Sequence, residues 1–169
     1  LEYLKICINS IKKNSKFEHE IIFYINEGKD GTLNFMKKNN FIYIYSEVNK
    51  GVCVAFNEAV KIASNKHVVL GHDDMYFCPG WDSVFYKEVS KLSNNQDFFL
   101  SGTMVQPFQS YINLDCGKTY ADFDEDKLLR KLPEIKFNDF QGTHWQPSLI
   151  PVVTWNKVDG FSEEFSPGL

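Results

Sequence analysis

Two adjacent carboxylates follow a short apolar run near the middle of the chain. Residues 67–70 read His-Val-Val-Leu, and Gly71, His72, Asp73 and Asp74 come next. Hard divalent cations such as Mg²⁺ and Mn²⁺ take oxygen ligands, and they often bind one or two carboxylates while diphosphate oxygens complete the shell. Adjacent acids are also common in solvated turns, where Asp caps the next helix. The pair therefore predicts either a metal and phosphate site or an ordinary polar turn.

A second polar turn stands in front of a helical segment. Asn49, Lys50 and Gly51 precede residues 52–63, whose apolar spacing predicts a helix. Glycine lets the backbone approach a ligand closely, and a helix that begins there directs free N–H groups and the positive end of its dipole toward a phosphate. Glycine also marks ordinary loop-to-helix junctions, so the segment predicts either a phosphate contact or a plain junction.

Alternating strands and helices must position these turns. The predicted strands cover residues 20–25, 41–45, 67–70 and 98–105, and the predicted helices cover residues 1–11, 32–38, 52–63 and 81–92. This alternation predicts an α/β fold with a mainly parallel sheet flanked by helices. Because ligands of such sheets bind outside the carboxyl ends of the strands, Asn26 and Asp74 should lie on one rim.

The stretch from residue 106 to residue 141 fits this alternation poorly. One amphipathic piece, residues 124–132, predicts a short helix within it. We interpret the stretch as an insertion that lies over the rim of the sheet.

The acidic turn and its surroundings resemble the region around the Asp-x-Asp motif of family 2 glycosyltransferases. In that family a strand ends in acids and a Pro-Gly-Trp-like turn follows, as residues 79–81 do here. Counted back from that turn, Asp74 stands at the position of the second, metal-binding acid, and His72 stands at the position of the first. The resemblance implies a site for Mn²⁺ or Mg²⁺ on Asp74 and His72, with Asp73 contacting the ribose or the diphosphate.

Three further segments resemble the same family. Residues 49–59 resemble its Asn-x-Gly segment, residues 26–32 its acidic turn after the second strand, and residues 155–165 its Gly-Gly-Phe-Asp-Glu-x-Phe segment. The resemblance implies nucleotide-sugar contacts at Asn26, Glu27, Asn49, Gly51, Asn57, Asp73 and Asp74, and acceptor or sugar contacts at His144, Trp145 and Gly160. A solvated turn acid is the alternative for Glu27, and a core position is the alternative for Trp145.

The resemblance implies the GT-A fold, the Rossmann-like fold of nucleotide-diphospho-sugar transferases. The implied activity moves a sugar from a UDP- or GDP-sugar to a hydroxyl of a glycan, lipid-linked or protein acceptor, with metal assistance and inversion. Two alternatives stay open: a nucleotidyltransferase of similar fold, and a noncatalytic nucleotide-sugar or glycan-binding remnant. The second is suggested by His72 and by Phe56, which stands where the family usually has a basic residue.

We expect residues 1–169 to form a single GT-A domain that is a fragment of a longer protein. The chain opens in a predicted helix, so the family's first strand and nucleotide-binding loop are expected before Leu1. The catalytic base is expected beyond Leu169, because Glu163 and Glu164 precede its position by resemblance.

Charge and apolar content exclude some classes of function. The net charge of −4 argues against nucleic acid as a partner, because phosphate neutralisation needs a concentrated basic face. No apolar run approaches the roughly 20 residues that span a bilayer, so we expect no membrane span in this chain. The four cysteines lack metal-ligand spacing and predict a reducing, cytoplasmic compartment.

Overall fold

The computed structural model describes residues 1–92, 97–108, 112–136, 138 and 146–164. In chain order its α-helices are α1 (Glu2–Asn14), α2 (Thr32–Lys38), α3 (Gly51–Lys61), α4 (Trp81–Val89), α5 (Glu125–Lys131) and α6 (Val152–Lys157). The strands are β1 (Ile22–Asn26), β2 (Ile42–Ser46), β3 (His67–Leu70), β4 (Leu100–Ser101), β5 (Val105–Gln106), β6 (Ile112–Asn113) and β7 (Ser148–Pro151). A 3₁₀ turn, Leu132–Glu134, follows α5.

The first half of the chain forms the predicted parallel βαβ unit. β1 pairs with β2 in parallel, from Ile22 opposite Ile42 to Asn26 opposite Ser46. Apolar residues at helical spacing on α1 meet the inner face of β1, because both would otherwise expose apolar surface to water. The resulting core consists of Leu4, Ile8, Ile25 and Met36.

The second sheet is antiparallel, which corrects the predicted arrangement of strands. β7 lies between β3 and β4 and runs antiparallel to both. β5 and β6 add a short parallel pair, so the pairing is mixed rather than mainly parallel. β7 follows β5 and β6 after a long segment of chain and runs antiparallel to β3 and β4, so no parallel crossover joins these strands. The α/β class stands, with this mixed pairing.

The predicted strand 98–105 is divided into β4 and β5. The interruption falls where Gly102 lies against Pro147, whose carbonyl oxygen accepts a hydrogen bond from the Gly102 N–H at 2.7 Å. A Cβ at position 102 would stand 3.1 Å from Pro147 side-chain atoms. The strand therefore breaks because the backbone turns to meet another segment there.

A second core joins β3, β7, α3 and α6. Its buried members are Val60, Leu70, Ile150 and Trp155, and Phe56, Val68, Val152 and Phe161 pack around them. This core fixes the carboxyl end of β3, where the acidic turn begins.

The predicted helix 124–132 is α5, which Asp124 caps. The Asp124 carboxylate accepts a hydrogen bond from the Lys127 N–H at 2.8 Å, as expected for an N-cap residue. This helix contacts α1 through the Lys13–Glu125 ion pair at 2.7 Å, and Tyr120, which precedes it, pairs with the Tyr3 ring of α1 at 5.3 Å. Throughout the described ranges, no helix has both the length and the apolar character needed to cross a membrane.

Candidate active site

The acidic turn emerges from a buried strand end into solvent. Leu70 is only 3% exposed, whereas His72, Asp73 and Asp74 are all exposed. Within the described residues, neither the Asp73 nor the Asp74 carboxylate has a hydrogen-bond or ion-pair partner. The turn therefore presents two carboxylates whose oxygens are open to a ligand.

Three polar side chains on the inner face of α1 hold the backbone of this turn. The Cys7 thiol donates to the His72 carbonyl oxygen at 3.6 Å. The Ser10 hydroxyl accepts from the Phe77 N–H at 3.0 Å, and the Asn14 amide donates to the Phe77 carbonyl oxygen at 2.7 Å. All three side chains are buried, so α1 fixes both ends of the segment 72–77.

Burial and the nearby acids keep the Cys7 thiol neutral. Burial raises the pKa of Cys7 to about 12, and the negative charges of Asp73 and Asp74 add to this shift. A neutral thiol donates a hydrogen bond and adds no charge beside the acids, so Cys7 supports the turn without competing for a cation.

An aromatic series connects His72 to the end of α6. The His72 ring meets the edge of Phe56 at a centroid distance of 5.8 Å, and Phe56 lies 6.0 Å from Phe161. Phe161 in turn packs against Trp155 at 4.9 Å. His72 is thus oriented by α3 although its ring is solvent-exposed.

The turn after β1 and the start of α3 are joined by hydrogen bonds. The Asn26 side-chain oxygen accepts from the Lys50 N–H at 2.8 Å. The Asn49 side-chain oxygen accepts from the Gly51 N–H, also at 2.8 Å. These two turns therefore lie together, and side chains already satisfy two N–H groups at the start of α3.

The α3 helix also relates these turns to the acidic turn. Its start bonds Asn26 through Lys50, and Phe56, six positions further, touches His72. At about 1.5 Å of rise per residue, the two points of contact are roughly 9 Å apart along the helix axis. The common rim of Asn26 and Asp74 stays a prediction, which this spacing supports.

Glu27 has the environment of a solvated turn acid. It is partly exposed, has a positive φ of 63° and pairs with the Lys29 ammonium at 2.8 Å. An ion pair of this kind at the surface contributes little stability.

Asn57 packs against the backbone of Gly160 and forms hydrogen bonds with the residues that follow it. The Asn57 amide group donates to the Phe161 carbonyl oxygen and to the Glu163 carboxylate, both at 2.8 Å, and its oxygen accepts from the Phe161 N–H at 2.9 Å. Gly160 has φ of 70°, and a Cβ there would stand 2.3 Å from the Asn57 oxygen. The buried Asn57 therefore holds the segment 160–163, a role that sequence reasoning missed.

His144 and Trp145 lie outside the described residues. Among the residues that are described, no group of three or more His, Cys, Asp or Glu side chains is arranged to hold a metal ion.

The family model for glycosyl transferase family 2 matches residues 1–156. The chain belongs to glycosyl transferase family 2. Its fold is similar to the crystal structure of S. aureus TarS 1-349, with a TM-score of 0.66 and 16% sequence identity over 96% of this chain and 47% of that one. The chain thus spans about half the length of that structure, and the likeness confirms the GT-A α/β fold. No curated protein matches the chain.

Members of family 2 commonly use a divalent metal ion. The residues at the acidic turn fit such an ion, because Asp73 and Asp74 offer exposed carboxylate oxygens without partners among the described residues, and hard cations prefer oxygen ligands. Imidazole suits such cations less well, so His72 is the weaker of the proposed ligands.

Proposed function

We propose that this family 2 domain transfers a sugar from a UDP- or GDP-sugar to an acceptor hydroxyl, with inversion at the anomeric carbon. The observation that carries the proposal is the exposed carboxylate pair at the end of β3, which has no partner within the described ranges, in a domain of this family. A diphosphate leaves with concentrated negative charge, so a site that stabilises it must supply positive charge at that point.

Asp74 would hold Mn²⁺ or Mg²⁺, with His72 as the lesser protein ligand. The ion, when bound, supplies Lewis-acid stabilisation of the leaving diphosphate. Asp73 lies beside Asp74 and would orient the ribose or the diphosphate. α1 fixes the backbone of this turn through buried hydrogen bonds, so both acids would be held ready before the donor binds.

The nucleoside would lie over the turn after β1 and the start of α3. The Asn26 oxygen is occupied by the Lys50 N–H, which leaves its amide N–H groups to donate to a base. Asn49 fixes Gly51 at the start of α3, where the positive end of the helix dipole favours a phosphate. Glu27 faces solvent beside this turn and would contact the donor only at its edge.

The sugar and acceptor would approach the segment 160–163. The space where a side chain of residue 160 would lie is filled by Asn57, which holds this segment from α3, so the segment would meet the ligand through its outer surface. His144 and Trp145 remain predicted contacts to the sugar or to a glycan, lipid-linked or protein acceptor. A carboxylate must take the proton of the acceptor hydroxyl, and we assign that role to none of the described residues.

A noncatalytic nucleotide-sugar-binding domain is the second candidate function. Phe56 packs against His72, so an apolar ring occupies the helix face next to the proposed metal site. A site of that kind would bind donor without transferring its sugar. The single-domain extent and the cytoplasmic location stay predictions.

Release of nucleoside diphosphate separates these candidates. The intact protein is incubated with UDP- and GDP-sugars, Mn²⁺ and mixed glycan acceptors, and free UDP or GDP is measured against an Asp74→Asn control. Acceptor-dependent release by the wild type alone supports the transferase. Binding of donor without release supports the second candidate, and neither binding nor release would reject both.

A further inference from the structure

Tyr76 connects the acidic turn to the segment that interrupts the α/β pattern. It lies two residues after Asp74, and its hydroxyl donates to the Glu125 carboxylate at 2.5 Å. The same hydroxyl accepts a hydrogen bond from the Asn14 amide at 3.0 Å. One phenol thus links the acidic turn to α1 and to the first residue of α5.

Glu125 accepts hydrogen bonds from the acidic turn and from α1 on one carboxylate oxygen. Its Oε1 atom accepts from both the Tyr76 hydroxyl and the Lys13 ammonium, the latter at 2.7 Å. The Tyr76 ring also packs against Phe123 at a centroid distance of 5.2 Å. Hydrogen bonds to charged groups are shorter and stronger than neutral ones, and half-burial of Tyr76 limits competition from water.

The Tyr76–Glu125 hydrogen bond can affect the position of Asp74, because one residue separates Tyr76 from Asp74. Two residues span at most about 7 Å, so displacement of Tyr76 must be absorbed within the turn that carries Asp74. α1 fixes the backbone at His72 and Phe77, but neither of those bonds constrains the side chain of residue 76. The Tyr76 hydroxyl is held by Asn14 of α1 and by Glu125, and Glu125 is the partner that belongs to the interrupting segment.

We infer that Tyr76 and Glu125 are positioning residues, and that their hydrogen bond lets the segment 112–136 set the geometry of Asp73 and Asp74. The inference rests on the proposed function, since the benefit of that geometry is the binding of a metal-bound nucleoside diphosphate. Neither residue touches the reacting atoms. The interrupting segment thereby becomes part of the donor site.

Hydrogen exchange tests the structural half of the inference in the absence of any ligand. Tyr76→Phe removes only the hydroxyl, so the adjacent Phe77 amide, which donates to Ser10, should exchange on the order of tenfold faster, while the midpoint of global unfolding changes little. Tyr86→Phe is the matched control, because Tyr86 is 66% exposed and its hydroxyl has no partner in the described part of the chain. Equal exchange of the Phe77 amide in Tyr76→Phe and wild type would overturn the inference.

Calorimetric titration of UDP and GDP with Mn²⁺, on the intact protein, tests the functional half. Tyr76→Phe and Glu125→Ala should each weaken Mn²⁺-dependent affinity about tenfold, and the losses in the double variant should be less than additive, because the Tyr76–Glu125 hydrogen bond is absent from both single variants. Glu125→Gln, which keeps an acceptor oxygen, should recover part of the loss. Lys13→Met should have a smaller effect, because the Tyr76 contact remains.

The two proposals fail in different ways. If the wild type itself shows no Mn²⁺-dependent binding of UDP or GDP, the proposed function is rejected, and this inference with it. Normal Mn²⁺-dependent binding by Tyr76→Phe would leave the proposed function standing and reject the positioning role. Additive losses in the double variant would also reject it, since the two residues would then act separately.

Discussion

Replacement of Asn57 should detach the segment 160–163 from α3. Asn57→Ala removes the partners of the Phe161 N–H and carbonyl groups, which lie at 2.9 and 2.8 Å. A net loss of about 1 kcal/mol per backbone hydrogen bond, plus the cost of leaving partly buried groups unpaired, gives an expected destabilisation of about 2–3 kcal/mol. The bond to Glu163 lies at the surface and adds little.

Asn57→Asp is a sharper variant, because it keeps the shape of the side chain but replaces the donating amide group with an oxygen that can only accept. The new carboxylate still accepts from the Phe161 N–H, but it faces the Phe161 carbonyl oxygen and the Glu163 carboxylate where the amide group donated. Asn57→Asp should therefore be at least as destabilising as Asn57→Ala at neutral pH. Adding Glu163→Gln supplies a donor opposite the new acid and should recover part of the loss.

Urea-induced unfolding of each variant measures these differences. Asn39→Ala is the control, because Asn39 is exposed and its side chain makes one hydrogen bond within the described residues, to the Phe35 carbonyl oxygen at 2.8 Å. This substitution should change stability by less than about 0.5 kcal/mol. The reasoning is refuted if Asn57→Ala lies within about 0.5 kcal/mol of wild type, or if Glu163→Gln brings no recovery in the Asn57→Asp background.

Two further predictions concern backbone strain and acid. Gly160→Ala should destabilise the protein by about 2–4 kcal/mol, because φ is 70° and the new Cβ would meet the Asn57 oxygen at 2.3 Å. Gly80→Ala has a similar φ of 78° and open space around the Cβ, so thermal unfolding should show the backbone penalty of about 1–2 kcal/mol alone. Burial raises the pKa of the Asp82 carboxyl, but hydrogen bonds, led by that from the Phe17 N–H, outweigh it and hold the pKa below 3.8. Asp82 therefore stabilises the fold fully above the unfolded-state pKa near 3.8, and the stability gap between wild type and Asp82→Asn, measured in urea, should shrink as the pH falls below it; a gap independent of pH contradicts the assignment.

The bounds of some helices and strands could be predicted, because residues close in sequence decide them. The predicted helix 32–38 and strand 67–70 match α2 and β3 residue for residue, since apolar runs bounded by polar turns decide them. The direction of β7 was not predictable, because pairing with β3 and β4 depends on how a segment of forty residues returns to the sheet. The break at Gly102 likewise depends on Pro147, which is distant in sequence.

The candidate site divides in the same way. The exposed carboxylates of Asp73 and Asp74 follow from a strand that ends in acids, which is visible in the sequence. The role of Asn57 depends on partners 104 and 106 positions away, so local reading could not assign it. The sequence does indicate that Ser10 and Asn14 are unusual, since they are polar residues on the apolar stripe of an amphipathic helix. It does not identify their partners, which lie more than 60 positions along the chain.

The most direct test of the proposed donor site is calorimetric titration of UDP and GDP, with and without Mn²⁺, on the wild type and on Asp74→Asn and His72→Ala. Asp74→Asn removes a charged oxygen ligand and keeps the shape, so Mn²⁺-dependent affinity should fall by about tenfold or more. His72→Ala should have a smaller effect, because imidazole is the poorer ligand for a hard cation. Equal binding by the wild type and Asp74→Asn, with no effect of Mn²⁺ on either, would contradict the account.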